Sequence, residues 1–189
     1  RTGKAVCTAL GVVLLAILFQ VGHFAEHIIQ VIAWIFGYRE AAYMTPPGMW
    51  LMHWLGVTLF PNETMARQSL LGFEMLHLIG NAIFLFGTLG LLYFVRVKRM
   101  FWAGLIQIFH FYEHVSLALS AYYINKSIGL STLFGMPMDH LFFVTYRVWW
   151  HFFMNAIPTA IVLYTLWFLY KKNRDKTNSL NHFCSLTYT

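Results

Sequence analysis

Charged residues and cysteines are both scarce in this chain. Only 11% of the 189 residues are charged, while 59% are hydrophobic and the mean hydropathy is +0.59. A soluble domain of this size is less apolar, so the composition indicates a polytopic membrane protein. The two cysteines, Cys7 and Cys184, form no CxxC motif and lie near no other motif, which excludes a thiolate metal site.

The excess of positive charge, +6 at pH 7, reflects membrane topology rather than nucleic-acid binding. The cations lie beside the apolar segments, and positively charged short loops mark the cytoplasmic side of a membrane. The larger group, on one side, comprises Arg1, Lys4, Arg96, Lys98, Arg99, Lys171, Lys172, Arg174 and Lys176. The other side carries Arg39, Arg67, Lys126 and Arg147. Both termini are therefore predicted to be cytoplasmic, and no nucleic-acid partner is expected.

Four long apolar segments predict four transmembrane helices. They cover residues 5–36, 69–95, 100–123 and 140–170, and each exceeds the ~20 residues that cross a bilayer as a helix. Residues 49–60 are aromatic but too few to span, and they predict an interfacial or re-entrant helix in the first outer loop. The predicted fold class is an all-α integral membrane protein, a four-transmembrane-helix bundle in contact with the lipid bilayer.

The chain contains an internal duplication. A shift of 87 positions carries Gln20–His27 onto Gln107–His114, with Gln, His, Phe, Glu and His in register, and a shift of 74 carries His77–Ile83 onto His151–Ile157. Residues 1–95 thus form repeat 1, residues 96–171 form repeat 2, and residues 172–189 are a polar C-terminal tail. Each repeat is one helical hairpin, so the two hairpins are predicted to be related by a pseudo-two-fold axis along the membrane normal.

Each repeat contains the motif HFxEH followed by two further histidines. Residues i, i+3 and i+4 share one face of a helix, so His23, Glu26 and His27 point toward protein rather than lipid. Imidazoles at i and i+4 bind one metal ion readily, and a neighbouring carboxylate can be a third ligand or fix a tautomer. The predicted metal ligands are His23, Glu26, His27, His53 and His77 in repeat 1 and His110, Glu113, His114, His140 and His151 in repeat 2.

The arrangement predicts two pseudo-equivalent sites, or one dimetal site between the repeats, in the outer half of the bundle. An imidazole and carboxylate shell without thiolate favours copper or zinc, with iron ranked after them. Methionines near the proposed sites add slight weight to copper: Met44, Met49, Met52, Met75, Met136, Met138 and Met154. Glu74 has Val148 as its counterpart in repeat 2 and is interpreted first as an interfacial charge.

The sequence therefore favours a metal-handling or redox subunit, while the question of enzymatic activity stays open. One alternative is a subunit that binds haem or chlorophyll, in which histidines are axial ligands and the aromatic residues line the macrocycle. Another is an accessory subunit of a larger membrane complex, or a homo-oligomer, in which the polar stripe only joins the repeats. The motif HxxEH resembles that of inverzincin metallopeptidases, but the resemblance covers five residues and predicts no peptidase.

Overall fold

The computed structural model describes residues 2–39, 42, 44–137 and 139–174, and all of the regular structure within them is helical. The five α-helices are α1 (Thr2–Ile35), α2 (Pro46–Leu59), α3 (Met65–Val95), α4 (Lys98–Ile124) and α5 (His140–Arg174). A short 3-10 helix, Leu130–Gly135, lies between α4 and α5. Among the residues named above, Arg1, Met138, Lys176 and Cys184 lie outside the described residues, as does the tail from residue 175 onward.

Three helices are long and apolar enough to cross a membrane. They are α1, α3 and α5, whose most apolar stretches have mean hydropathies of 2.3, 2.0 and 1.7. The prediction of an all-helical membrane protein is confirmed at this level. Helix α4 is 27 residues long but carries Gln107, His110, Glu113 and His114, and it does not reach the same apolarity.

The four long helices pack in a closed ring. Helix α1 packs against α3 and α5, and α4 packs against the same two neighbours. At the end of the ring that holds the α3–α4 connection, an apolar core cluster contains Val13, Phe84, Leu91, Met100 and Val162. A second apolar cluster, Val31, Ala42, Val144 and Val148, lies toward the opposite end. Most polar side chains of the repeated motifs in the long helices are buried, and they lie between these two apolar clusters.

Helix α2 lies against α3 through two glycines. A Cβ on Gly72 would lie 2.2 Å from the carbonyl oxygen of Met52, and one on Gly56 would lie 2.2 Å from that of Gln68. The helix begins at Pro46, earlier than the predicted residue 49, because Thr45 caps it and proline suits the first helical positions. The matching connection in repeat 2 forms only the 3-10 helix, so the two connections differ although their sequences align.

Candidate functional site

A layer of two glutamine–asparagine pairs joins the repeats. The side-chain nitrogen of Gln20 donates to Asn155 Oδ1 at 2.9 Å, and that of Gln107 donates to Asn81 Oδ1 at 2.9 Å. Each asparagine also donates to the carbonyl of the histidine four residues earlier, again at 2.9 Å. All four side chains are fully buried. The pairs are equivalent under the two sequence shifts, and each one links repeat 1 to repeat 2.

Next to this layer, six histidines from all four long helices form one contiguous cluster, called the histidine cluster below: His23, His27, His77, His110, His114 and His151. Five of the six are buried, and His23 is half-buried. The cluster therefore brings together the HFxEH histidines of both repeats with His77 and His151, which are equivalent under the shift of 74.

The histidine cluster has approximate two-fold symmetry. Ring centres at i and i+4 lie 4.6 Å apart in both halves, for His23–His27 and for His110–His114. The distances from His27 to His151 and from His114 to His77 are 5.9 and 5.6 Å. The rings of His77 and His151, which are equivalent under the shift of 74, lie 5.4 Å apart across the pseudo-axis.

Hydrogen bonds fix the tautomers of three of these rings. His77 Nδ1 donates to the carbonyl of Phe73 at 2.8 Å, and His151 Nδ1 donates to that of Arg147 at 2.9 Å. His27 Nδ1 donates to Gln30 Oε1 at 2.8 Å, while its Nε2 lies 3.2 Å from His23 Nε2. A neutral imidazole that donates through Nδ1 carries its lone pair on Nε2. Each of the three rings can thus offer Nε2 as a ligand atom.

Several nitrogens of the histidine cluster are buried without a hydrogen-bond partner among the described residues. They are both ring nitrogens of His114 and Nε2 of His151. An unpaired buried polar group costs about 1–3 kcal/mol, and such groups are rare in native proteins. The glutamine–asparagine layer already links the repeats, and these ring nitrogens make no hydrogen bond to it.

The two motif glutamates face away from the centre of the cluster. Glu26 accepts a hydrogen bond of 2.6 Å from the hydroxyl of Thr45, the residue that caps α2. Glu113 accepts from the main-chain nitrogen of Ser131 at 2.6 Å and from the indole of Trp150 at 2.8 Å. Its other contact is with His110, whose Nδ1 lies 3.6 Å from the carboxylate. Each glutamate therefore ties the histidine helix of its repeat to the connection that follows it.

His53 and His140 lie apart from the histidine cluster. Both side chains are exposed, and neither takes part in its ring contacts. Helix α2 packs on α3 through Met52 and Gly56, so His53, the next residue after Met52, is turned away from that contact. The sequence grouped these two histidines with the other candidates because they align at the 87-position shift, but alignment alone does not bring them to the centre.

The structure also contains a buried ion pair that the sequence analysis did not foresee. Arg147 Nη2 lies 3.0 Å from Glu74 Oε1, and the two side chains are 5% and 1% exposed. The Ser127 hydroxyl donates to the same carboxylate oxygen at 2.6 Å. Glu74 was interpreted first as an interfacial charge, and Arg147 was counted only among the cations of one membrane side, whereas the two charges pair within the helix bundle. Their opposite signs, 73 positions apart on two apolar helices, were the available signal.

In their present orientations, no group of three or more His, Cys, Asp or Glu side chains in the described part of the chain is positioned to hold a metal ion. The histidine rings lie close together, but their nitrogens do not converge on one point. Rotation of an imidazole about its terminal side-chain bond is soft. The spacing of the rings is therefore a better guide to what the cluster can bind than the directions of their nitrogens.

The sequence pattern of one protein family, described as a family of unknown function (DUF6008), matches residues 3–186. No curated protein and no solved structure matches the chain.

Proposed function

The chain belongs to the DUF6008 family, whose function is unknown, and from its own geometry we propose that it is a membrane protein that binds a pair of transition-metal ions. The histidine cluster is the proposed site, with three imidazoles from each repeat. The observation that carries the proposal is the burial of unpartnered imidazole nitrogens at the point where the duplicated motifs meet. A metal ion would give a partner to Nε2 of His151 and to one ring nitrogen of His114, which have none among the described residues.

Ring spacing supports three imidazoles per ion. Metal–nitrogen bonds of ~2.1 Å place the ring centres of imidazoles on one ion about 5 Å apart. In repeat 2, His110, His114 and His151 have centres separated by 4.6, 5.3 and 5.9 Å. In repeat 1, the corresponding separations are 4.6, 6.3 and 6.1 Å. The rings of repeat 2 are close to the required spacing, and those of repeat 1 need a contraction of about an ångström.

The two sets touch, which favours one dimetal centre over two separate sites. Contacts of 5.4 to 5.9 Å cross between the repeats at His77–His151, His77–His114 and His27–His151. The distances between rings of different repeats are thus as short as those between rings of the same repeat. Two ions bound here would share one enclosure rather than occupy independent pockets.

The ligand atoms favour copper, with zinc second. All of the central ligands are imidazoles, and the Irving–Williams order ranks copper highest for such nitrogen donors. Glu113 is placed as an outer partner for His110 rather than as a ligand, an arrangement that orients metal-bound imidazoles. Rings this close together leave no space for a porphyrin between them, so the spacing favours metal ions over haem or chlorophyll.

In this proposal the bundle sits in the bilayer with α4 as its fourth membrane-crossing helix. The closed ring of contacts places α4 between two apolar helices, α3 and α5, and its polar residues Gln107, His110 and His114 are fully buried. The four helices then form two tandem hairpins with a pseudo-two-fold axis along the membrane normal. The cations at the α3–α4 connection and in the last turn of α5 would orient both termini toward the cytoplasm.

The test is the metal content of the purified full-length chain, measured by elemental analysis together with an absorption spectrum. We expect about two equivalents of copper or zinc and no porphyrin band. His114→Gln should reduce the metal content by at least one equivalent, because this ring is completely buried at the centre.

The exposed histidines supply the matched control. His53→Gln should leave the metal content at its wild-type value, because this side chain lies apart from the histidine cluster. A metal-free wild-type protein after loading with copper and zinc would refute the proposal. Equal losses in the two variants would show that the metal is bound elsewhere.

A further inference from the structure

The duplication allows the ion pair between Glu74 and Arg147 to be compared with the residues at the equivalent positions of the other repeat. The shift of 74 places Val148 at the position of Glu74, and it places Phe73 at the position of Arg147. Val148 and Phe73 are 5% and 6% exposed, so apolar side chains occupy the equivalent positions in the other repeat. The helix packing does not by itself require a charge at either position.

The ion pair is also expensive. A charged side chain inside a membrane costs about 2.5–3.5 kcal/mol or more, and the attraction within a buried pair often fails to recover the cost of desolvation. Glu74 and Arg147 are nevertheless both buried. Since apolar residues fill the equivalent positions, a functional role for the pair is the simpler explanation.

A small cavity brings Arg147 to the histidine cluster. Three cluster rings line it, those of His27, His77 and His151, and the remaining lining residues are Gln30, Phe73, Arg147 and Val148. Its volume of about 10 Å³ is room for roughly one water-sized molecule. The cavity is lined by equivalent positions of the two repeats, because Phe73 corresponds to Arg147 and His77 corresponds to His151.

Charge balance indicates what such a cavity would hold. Six neutral imidazoles contribute no negative charge to a pair of divalent ions, and the charges of Glu74 and Arg147 cancel each other. The carboxylates of Glu26 and Glu113 at the edge of the cluster offset only half of the four positive charges of the two ions. Uncompensated metal charge in a low-dielectric interior is costly. A guanidinium on the same cavity is repelled by the metal ions unless negative charge lies between them.

We propose that this cavity binds a small monoanion, hydroxide or a halide, between the metal pair and Arg147. This inference rests on the metal centre proposed above and adds its exogenous ligand. The guanidinium offers directional hydrogen bonds to the anion. Glu74 holds the guanidinium through its 3.0 Å contact, and Ser127 holds Glu74. Because the cavity is so small, the site excludes any ligand of more than a few atoms.

The experiment is a bromide titration of the copper(II)-loaded full-length chain, followed by the charge-transfer absorption of copper-bound bromide. The test variant, Glu74→Val with Arg147→Phe, installs the residues of the other repeat and keeps the main-chain carbonyl that holds His151. Its apparent dissociation constant for bromide should rise at least tenfold, while its copper content stays at the wild-type value. The control variant, Glu63→Gln with Arg67→Gln, removes a partly exposed ion pair of 3.3 Å and should bind bromide as the wild type does.

The outcomes separate the two proposals. Copper-loaded wild type that gives no bromide-dependent absorption, or a test variant with unchanged bromide affinity, would overturn the anion site and leave the metal centre intact. Failure of the wild type to bind copper would overturn the metal centre and this site with it. If the double variant does not fold, Arg147→Lys replaces it. That variant keeps the charge but loses the planar donors, so at least threefold weaker binding supports the site and unchanged binding overturns it.

Discussion

The guanidinium of Arg147 lies 4.7 Å over the ring of Phe73, the residue that occupies its own position in the other half of the duplicated chain. Both residues accept a hydrogen bond through the main-chain carbonyl from the cluster histidine four positions later, at 2.9 and 2.8 Å. The two repeats therefore share their main-chain geometry at this level and differ only in the side chains.

This relationship predicts opposite outcomes for breaking and for replacing the ion pair. Arg147→Met should destabilise the protein by about 3–5 kcal/mol, because the buried carboxylate of Glu74 loses its partner. Glu74→Val combined with Arg147→Phe should be close to neutral or stabilising, as replacement of a buried pair by apolar residues often is. Unfolding in detergent by titration with sodium dodecyl sulfate measures both. Equal destabilisation by the two variants would contradict the prediction.

The glutamine–asparagine layer predicts equal effects at two positions that are far apart in sequence. Gln20→Leu and Gln107→Leu each leave a buried asparagine oxygen without its donor, which costs about 1–3 kcal/mol. Since the two bonds have the same length of 2.9 Å, the losses in unfolding free energy should agree to about 0.5 kcal/mol. Thr8→Val, which removes an exposed bond to Lys4, should change the stability by less than about 0.5 kcal/mol. A large loss at one glutamine alone would show that the pseudo-symmetry does not extend to energetics.

The contact between α2 and α3 predicts opposite signs for two glycine-to-alanine substitutions. Gly72→Ala places a methyl group 2.2 Å from the Met52 carbonyl oxygen, so α2 must shift, at a cost of about 1–3 kcal/mol. Gly22→Ala meets nothing within 4 Å and should stabilise α1 by about 0.5–1 kcal/mol. Thermal midpoints in detergent distinguish the two. A neutral Gly72→Ala variant would indicate that α2 does not pack closely on α3.

Metal removal should lower the stability of the folded protein. A ligand at 100 times its dissociation constant contributes about 2.7 kcal/mol, so chelation should reduce the thermal midpoint by several degrees and added copper should restore it. His114→Ala should respond less to both treatments than His140→Ala does, because His114 is buried in the histidine cluster and His140 is exposed. Identical responses in the two variants would show that the stabilising metal is not bound at the histidine cluster.

The repeated polar residues made the centre of the bundle predictable. Gln20, His23 and His27 lie on one helical stripe, and their copies 87 positions later identify the residues that must share a layer with them. The prediction of convergence holds for six of the eight repeated histidines because those six lie inside long helices. Helical periodicity sets the face that such a residue presents.

Sequence reasoning worked less well outside the long helices. The position of His53 depends on how α2 lies on α3, which is set by close contact at Gly56 and Gly72, and no local pattern encodes that packing. Glu74 and Arg147 were misjudged for another reason. Each was weighed alone as a charge in an apolar helix, whereas the pairing depends on which two of the four helices are neighbours in the ring.

The apolar layer around Phe84, Leu91, Met100 and Val162 also affects access to the centre of the bundle from one end. It closes one end of the bundle with fully buried side chains, and the hydroxyls of Thr88 and Thr165 are buried beside it. In the proposed membrane protein, this layer would oppose the passage of ions through that end of the bundle, because a charge in an apolar interior is costly.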